Sequence, residues 1–190
     1  MKTKDIEQIL VETGAFLEGH FQLTSGKHSK YYVEKIKLIQ FPEYVEKIGK
    51  AFAQKCHHLD FDVVVSPALG AIVLGYEVAK QMDKRFIFTQ RKEGIMYIRS
   101  GFDLQPYEKV LIIEDITTTG GSVFEVIECV KKRKADIVGI GLVVDRSGGS
   151  IEFGYKPFPL LTLKIEAYDP EDCPLCKAGI PIIKPGSSGK

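Results

Sequence analysis

Apolar positions fall into two rhythms along this chain. Ile6, Ile9 and Leu10 recur at helical spacing, and Gly14 is a natural stop. From Pro42 to His58 the period is again helical, with Tyr44, Val45, Ile48, Phe52 and Ala53 able to share one face. Pro42 suits the first turn of that helix. Between the two, Phe16 to Tyr32 alternates aromatics with Gly, Ser, Lys and His, which predicts short strands and loops. The rhythm then changes. FDVVVS (61–66), RFIFT (85–89), KVLIIE (109–114) and DIVGIGLVVD (136–145) are short, β-branched runs that predict buried strands. ALGAIVLGYEVAKQM (68–82) and GSVFEVIECVKKR (121–133) predict helices, the second with Val123, Val126, Ile127 and Val130 inward. Residues 90–108 are polar and weakly periodic, a long loop or an exposed hairpin. The tail from Asp169 is rich in Pro, Gly and Cys and predicts irregular structure. Strands alternating with helices imply an α/β fold with a mostly parallel sheet and helices on its faces.

Composition narrows the class. With 190 residues the chain reads as a single domain, 44% hydrophobic and 27% charged, hence soluble and globular. A formal charge of +1 offers no field for nucleic acid or an anionic membrane. No apolar run reaches the roughly 20 residues that span a bilayer. MKTKDIEQIL lacks the apolar stretch of a secretory signal, so the cytoplasm is the expected compartment. Four cysteines fit it as free thiols.

The chemistry concentrates in VLIIEDITTTGGSV (110–123). A buried strand runs into two acids, three threonines, two glycines and a serine. Ligands of open α/β sheets bind beyond the C-terminal strand ends. Glu114 and Asp115 fall at such an end, and Thr117 to Ser122 form the turn into the next helix. Unpaired amides and the helix dipole favour an anion there. Gly120 and Gly121 permit close backbone approach, and Thr117, Thr118, Thr119 and Ser122 add hydroxyls. That suits a phosphate monoester, while the acids suit sugar hydroxyls or hydrated Mg²⁺. The competing reading is a capped turn without ligand, but adjacent acids at a buried strand end need partners. The stretch lacks the Gly-Lys-Ser/Thr ending of a P-loop.

An apolar run followed by Glu-Asp, a Thr-rich loop and Gly-Gly-Ser resembles the phosphoribosyl pyrophosphate (PRPP) motif of type I phosphoribosyltransferases. FQLTSGKHSKYY (21–32) is similar to the base-side segment of orotate phosphoribosyltransferases, and VVDRSGG (143–149) to their Asp-Arg segment. RKEG (91–94) resembles the start of their mobile loop. The resemblance covers most of residues 10–170 and is nearest a short bacterial branch that includes thermophile enzymes and shares the YDPEDCPLCK tail.

The resemblance implies the type I fold, with an N-terminal hood over 1–40, a mobile loop, and an irregular tail over 169–190. It implies transfer of phosphoribosyl from PRPP to orotate, giving orotidine 5′-phosphate and pyrophosphate on the way to UMP. Glu114, Asp115 and Lys92 would be catalytic. Arg91, Lys92 and residues Glu114 to Ser122, including Ile116, would bind PRPP. Thr118, Arg146 and Lys27 would bind orotate. Mg²⁺ would be held mainly through PRPP, with Asp115 reaching it through water. A homodimer would share its active site through the 90–102 loop, with neither nucleic acid nor membrane as partner. Three positions depart from the better-known enzymes. Thr24 and Leu69 stand where those carry lysines, and the loop has no further Lys or His after Lys92. Arg99 or Lys27 could supply part of that charge. The rival readings are transfer to a purine or uracil, and a regulator that binds PRPP without turnover.

Other residues read more blandly. His57 and His58 suit a solvated or capping place at a helix end, and Cys129 suits helix packing. Lys27 and His28 are equally exposed loop residues or base-side ones. Cys173 and Cys176 offer two of the four ligands of a zinc site, which would need a second pair from a dimer mate or nearby histidines. Redox chemistry, or a reduced pair in a tight turn, are the alternatives.

Overall fold

Two-residue alternation in the strands places side chains on both faces of one sheet. In β6 (Lys109–Thr117), Leu111 and Ile113 pack to one side, Val110 and Ile112 to the other, and all four are fully buried. The computed structural model describes residues 3–23 and 25–185. Its other strands are β1 (Phe16–Gln22), β2 (His28–Val33), β3 (Val63–Pro67), β4 (Arg85–Lys92), β5 (Ile95–Ile98), β7 (Asp136–Asp145) and β8 (Pro157–Thr162). The helices are α1 (Thr3–Glu12), α2 (Lys35–Ile39), α3 (Pro42–Cys56), α4 (Gly70–Gln81), α5 (Gly121–Lys132) and α6 (Pro174–Lys177).

Six strands form the central sheet in the order β5-β4-β3-β6-β7-β8. Every neighbouring pair is parallel except β4 with β5. Helices α1, α3 and α4 cover the face that carries Val64, Leu111 and Ile113. Helix α5 covers the face of Val63, Val65, Val110 and Ile112 through Val123, Val126, Ile127 and Val130. Each fully buried aliphatic side chain stabilises this double layer by roughly 1.5–3 kcal/mol. Strand order reverses at β3, which lies between β4 and β6. Such a reversal opens a crevice at the C-terminal ends of the two strands, here Pro67 and Glu114–Thr117.

Most predicted elements form. Residues 90–98 make a hairpin rather than a loop, turning at Glu93 and Gly94 with φ of 53° and 81°. Two successive positive values match the twist of the strands they join. Outside the tail, two elements have no counterpart in the sequence reading. Helix α2 is five residues long, too short to show a period. Strand β8 holds Pro157 and Pro159 and sits at the sheet edge, where a missing amide donor is tolerated. The tail is less irregular than expected. It carries α6 and docks on the β1–β2 hairpin through backbone bonds of His28 with Tyr168 and of Ile183 with His20 and Gln22.

Candidate functional site

Strand alternation also explains why two acids stand side by side. Glu114 continues the face of Val110 and Ile112, beneath α5. Asp115 continues the face of Leu111 and Ile113, beneath α2 and α4. Both are buried, at 3% and 1% exposure. Glu114 accepts hydrogen bonds from the Asp115 amide at 3.0 Å and from the Ser122 hydroxyl at the start of α5. Burial, then the charge of Asp115, pushes the Glu114 carboxyl up to about 8. On the opposite face Asp115 meets Lys35 of α2, whose Nζ lies 3.3 Å from Oδ1 and 3.2 Å from Oδ2. Burial disfavours the Lys35 ammonium, but Asp115 and Glu114 outweigh it and hold its pKa above the ordinary lysine value.

The turn into α5 follows. Gly120 takes φ +79°, and a Cβ there would come within 2.9 Å of Phe153. The first-turn amides of α5 are left without helical partners. Thr117, Thr118, Thr119, Gly120, Gly121 and Ser122 line a cavity of about 400 Å³, together with Glu114, Ile116, Lys35, Arg91 and the end of β3. Two buried atoms here lack hydrogen bonds. Thr117 Oγ1 has none, and Asp115 Oδ2 has only the nearby Lys35 charge. Gly70 closes the floor, where a Cβ would fall 2.0 Å from Asp115 Oδ2.

A second cavity, of about 500 Å³, adjoins the first and shares Lys35, Ile116, Thr118 and Thr119 with it. Its far wall is Arg146, Tyr32 and the hood residues Gln22, Leu23 and Ser25, with Lys184 from the tail. Arg146 follows β7 and is pinned by its amide to Thr117 O at 2.9 Å. Its Nε is buried without a hydrogen bond, and no ion pair to it occurs among the described residues. Burial lowers its pKa, partly opposed by Tyr32, yet a guanidinium stays charged at neutral pH. Asp145 does not pair with it. The Asp145 carboxylate instead accepts from the Ser147 amide (2.8 Å), the Ser147 hydroxyl (2.6 Å) and the Gly149 amide (3.0 Å), which shapes the loop that presents Arg146.

The fold therefore gathers Glu114 to Ser122, Arg91 and Arg146 around one crevice. Arg91 lines it while two of its nitrogens bond one oxygen of Glu125. Lys92 is exposed at the hairpin turn and lines neither cavity. Lys27 is ion-paired to Asp169 at 3.2 Å and also lies outside both linings. Arg99 donates to Gln90 on the hairpin at 2.8 Å. Leu69 is 77% exposed, and Thr24 lies outside the described residues. Lys35 is the cation that sequence reading missed. His57 binds the Gln54 carbonyl at 2.8 Å, as a capping residue should, and Cys129 is packed beneath β5.

A strand-end acid pair, an anion-binding turn and a basic far wall on a doubly wound sheet define a crevice suited to a phosphorylated sugar. The model of the phosphoribosyl transferase domain family matches residues 39–167, and the chain belongs to that family. Within it the chain groups with the orotate phosphoribosyltransferases, as its base-side and Asp-Arg segments led one to expect. The orotate phosphoribosyltransferase of Caldicellulosiruptor bescii is 50% identical over 96% of both chains. That of Thermotoga maritima is 50% identical over 97% of this chain and 98% of its own. Among solved structures, orotate phosphoribosyltransferase from Aeropyrum pernix superposes with a TM-score of 0.73 at 20% identity, covering 84% of this chain and 94% of that one. An adenine phosphoribosyltransferase from Thermoanaerobacter pseudethanolicus reaches 0.68 at 11% identity, covering 85% of this chain and 100% of its own. At such identities the superpositions speak for the shared fold, and the base is distinguished by the closer relatives.

Proposed function

We propose that this chain transfers the phosphoribosyl group of PRPP to orotate, giving orotidine 5′-phosphate and pyrophosphate in pyrimidine synthesis. The observation that carries it is the continuity of the two cavities. An anion cradle and paired acids stand at one end, and Arg146, with its unpartnered Nε, stands at the other.

The 5′-phosphate sits on the first-turn amides of α5 and the hydroxyls of Thr117 to Ser122. Glu114 and Asp115 take the ribose hydroxyls, and the Asp115 carboxylate stabilises the positive character that develops at the anomeric carbon. Arg146 pairs its planar fork with the orotate carboxylate, and Thr118 contacts the ring. The ring nitrogen of orotate is acidic enough to need no strong base, so rate comes from positioning and charge. Nitrogen bonds to the anomeric carbon as its bond to the pyrophosphate oxygen breaks, with inversion.

The residues fit Mg²⁺ held mainly through PRPP, because Asp115 Oδ2 is a buried carboxylate oxygen without a hydrogen bond, beside only the Lys35 charge, that could reach a hydrated cation through water. When bound with PRPP, Mg²⁺ neutralises charge on the leaving pyrophosphate. Lys35 and Arg91 supply further positive charge on that side. Lys27, held by Asp169, has no part in this reading. The hairpin within 90–102 covers the site of a partner subunit in a homodimer. What supports this is that Lys92 lines neither cavity of its own chain. The cytoplasm is the proposed compartment. Four unpaired cysteines support it, and no helix among the described residues is long and apolar enough to cross a membrane.

Orotate disappearance, followed by its ultraviolet absorbance with PRPP and Mg²⁺ and with uracil, hypoxanthine and adenine in parallel, tests the reading. Mg²⁺-dependent loss of orotate alone is expected. PRPP binding without orotate turnover would overturn it.

A further inference from the structure

Behind the hood wall, four ligand-bearing side chains from two distant segments converge. His20 lies on β1, His28 on β2, and Cys173 and Cys176 flank the start of α6 and lie within it. One ligand atom from each falls within 4.8 Å of all the others. His20, His28 and Cys173 are buried. The contacts are His20 Nε2 to His28 Nδ1 at 3.1 Å, to Cys173 Sγ at 3.5 Å and to Cys176 Sγ at 3.7 Å, with Cys176 Sγ to His28 Nδ1 at 3.2 Å.

These four spacings match edges of a tetrahedron around one small ion. With metal–sulfur bonds of about 2.3 Å and metal–nitrogen bonds of about 2.0–2.1 Å, tetrahedral geometry sets S···N edges at about 3.5 Å and N···N at about 3.3 Å. A hydrogen-bonded explanation, even with both thiol protons, crowds His28 Nδ1, Cys173 Sγ and Cys176 Sγ onto the single acceptor of His20 Nε2. His20 Nδ1 lies 2.7 Å from the Ile180 carbonyl and must donate to it, which leaves Nε2 a bare lone pair facing the cluster. His28 Nδ1 has a single hydrogen at most, yet has that lone pair at 3.1 Å and a sulfur at 3.2 Å. The Ile180 carbonyl is instead the outer partner that orients a metal-bound imidazole. A two-iron cluster would draw the thiols and imidazoles apart onto separate irons, whereas here sulfur and nitrogen lie 3.2–3.7 Å apart, spacings that one ion explains.

We infer that His20, His28, Cys173 and Cys176 form a closed structural site for a tetrahedral divalent ion of borderline softness, Zn²⁺ above others. The Cys-Pro-Leu-Cys knuckle gives two thiolates, and the hairpin gives two neutral imidazoles. Both thiol protons leave to solvent on binding. The site has no open position and hence no chemistry of its own. Its work is mechanical. Ile183 is bonded by backbone to His20 and Gln22, and Gln22 and Lys184 line the base-side cavity. The ion therefore fastens the tail to the hood one layer behind that wall.

The test uses the full, untagged chain, purified without chelator. Elemental analysis should find about one zinc per chain. Replacement by Co²⁺ should give the intense visible bands of a tetrahedral site and thiolate-to-cobalt charge transfer. Cys173→Ser with Cys176→Ser should weaken the metal by more than the roughly 10–100-fold that losing an outer-shell partner costs, and should abolish the charge-transfer band. Should that variant fail to fold, the wild-type cobalt spectrum decides alone. A metal-free protein without the thiolate band, a Cys173–Cys176 disulfide in the purified chain, iron in place of zinc, or a metal retained in full by the double variant would each overturn the assignment.

Discussion

Replacing Glu114 with Gln should remove a penalty on the ligand-free fold that grows with pH. The buried Glu114 keeps its proton up to about pH 8, whereas the unfolded chain releases it near the ordinary value of 4.5. Between those limits the native state binds more protons than the unfolded one, so raising the pH favours unfolding. The contribution is present in full below 4.5 and is lost as the pH climbs to about 8. Each factor of ten in proton affinity is about 1.4 kcal/mol, which sets a ceiling of roughly 5 kcal/mol. Relaxation and water entry around the buried charge bring the observable change to about 2–3 kcal/mol. Gln cannot titrate but keeps an acceptor for the Ser122 hydroxyl. Melting of both ligand-free proteins should be followed from about pH 5 to about pH 8.5. The variant should gain roughly 5–10 °C on the wild type across that range, at about 2–4 °C per kcal/mol for a chain this size. Melting curves that move in parallel would refute both the raised proton affinity and its cause in burial.

Other substitutions probe the rest of the crevice. Arg146→Lys should lower kcat/KM for orotate by about 10²–10³-fold while changing KM for PRPP by less than about threefold, because an ammonium cannot reproduce a planar fork. Gly70→Ala should cut PRPP affinity at least roughly tenfold by titration calorimetry, since its Cβ would meet Asp115 Oδ2 at 2.0 Å and displace the acid. Leu111→Ala, in the fully buried centre of the sheet, should cost about 2–5 kcal/mol in urea unfolding and leave substrate KM values unchanged.

The sheet and the phosphate cradle were legible because their signals are local. Val110 to Ile113 announce a buried strand, and the acids, threonines and glycines that follow announce a bound anion. The faces of α1 and α5 came out residue by residue for the same reason. What stayed hidden is held by contacts across the chain. Lys35 pairs with Asp115 from 80 residues away, on a helix too short to show a period. His20 lies among alternating aromatics, and the two cysteines that complete its cluster come from the docked tail, 153 and 156 residues on. Lys27, read as a base-side cation from its neighbours in sequence, stands in an exposed ion pair with Asp169, 142 residues on, which no local pattern announces. Strand β8 was obscured by its prolines, which an edge position permits.

The alternation of β6 also limits what this site can survive by way of length change. Glu114 serves one side of the sheet and Asp115 the other, and both sides are read by fixed partners, Ser122 above and Lys35 below. Deleting one residue between Lys109 and Ile113 would reverse the phase of every side chain beyond it and hand each acid to the wrong partner. Deleting two would restore the phase but pull the turn inward by roughly 7 Å, away from Arg146. The strand thus works as a ruler with two scales printed back to back. Substitution can tune the residues on either scale, but insertion or deletion within it has almost no room, and variation in length belongs to the turn of the β4–β5 hairpin.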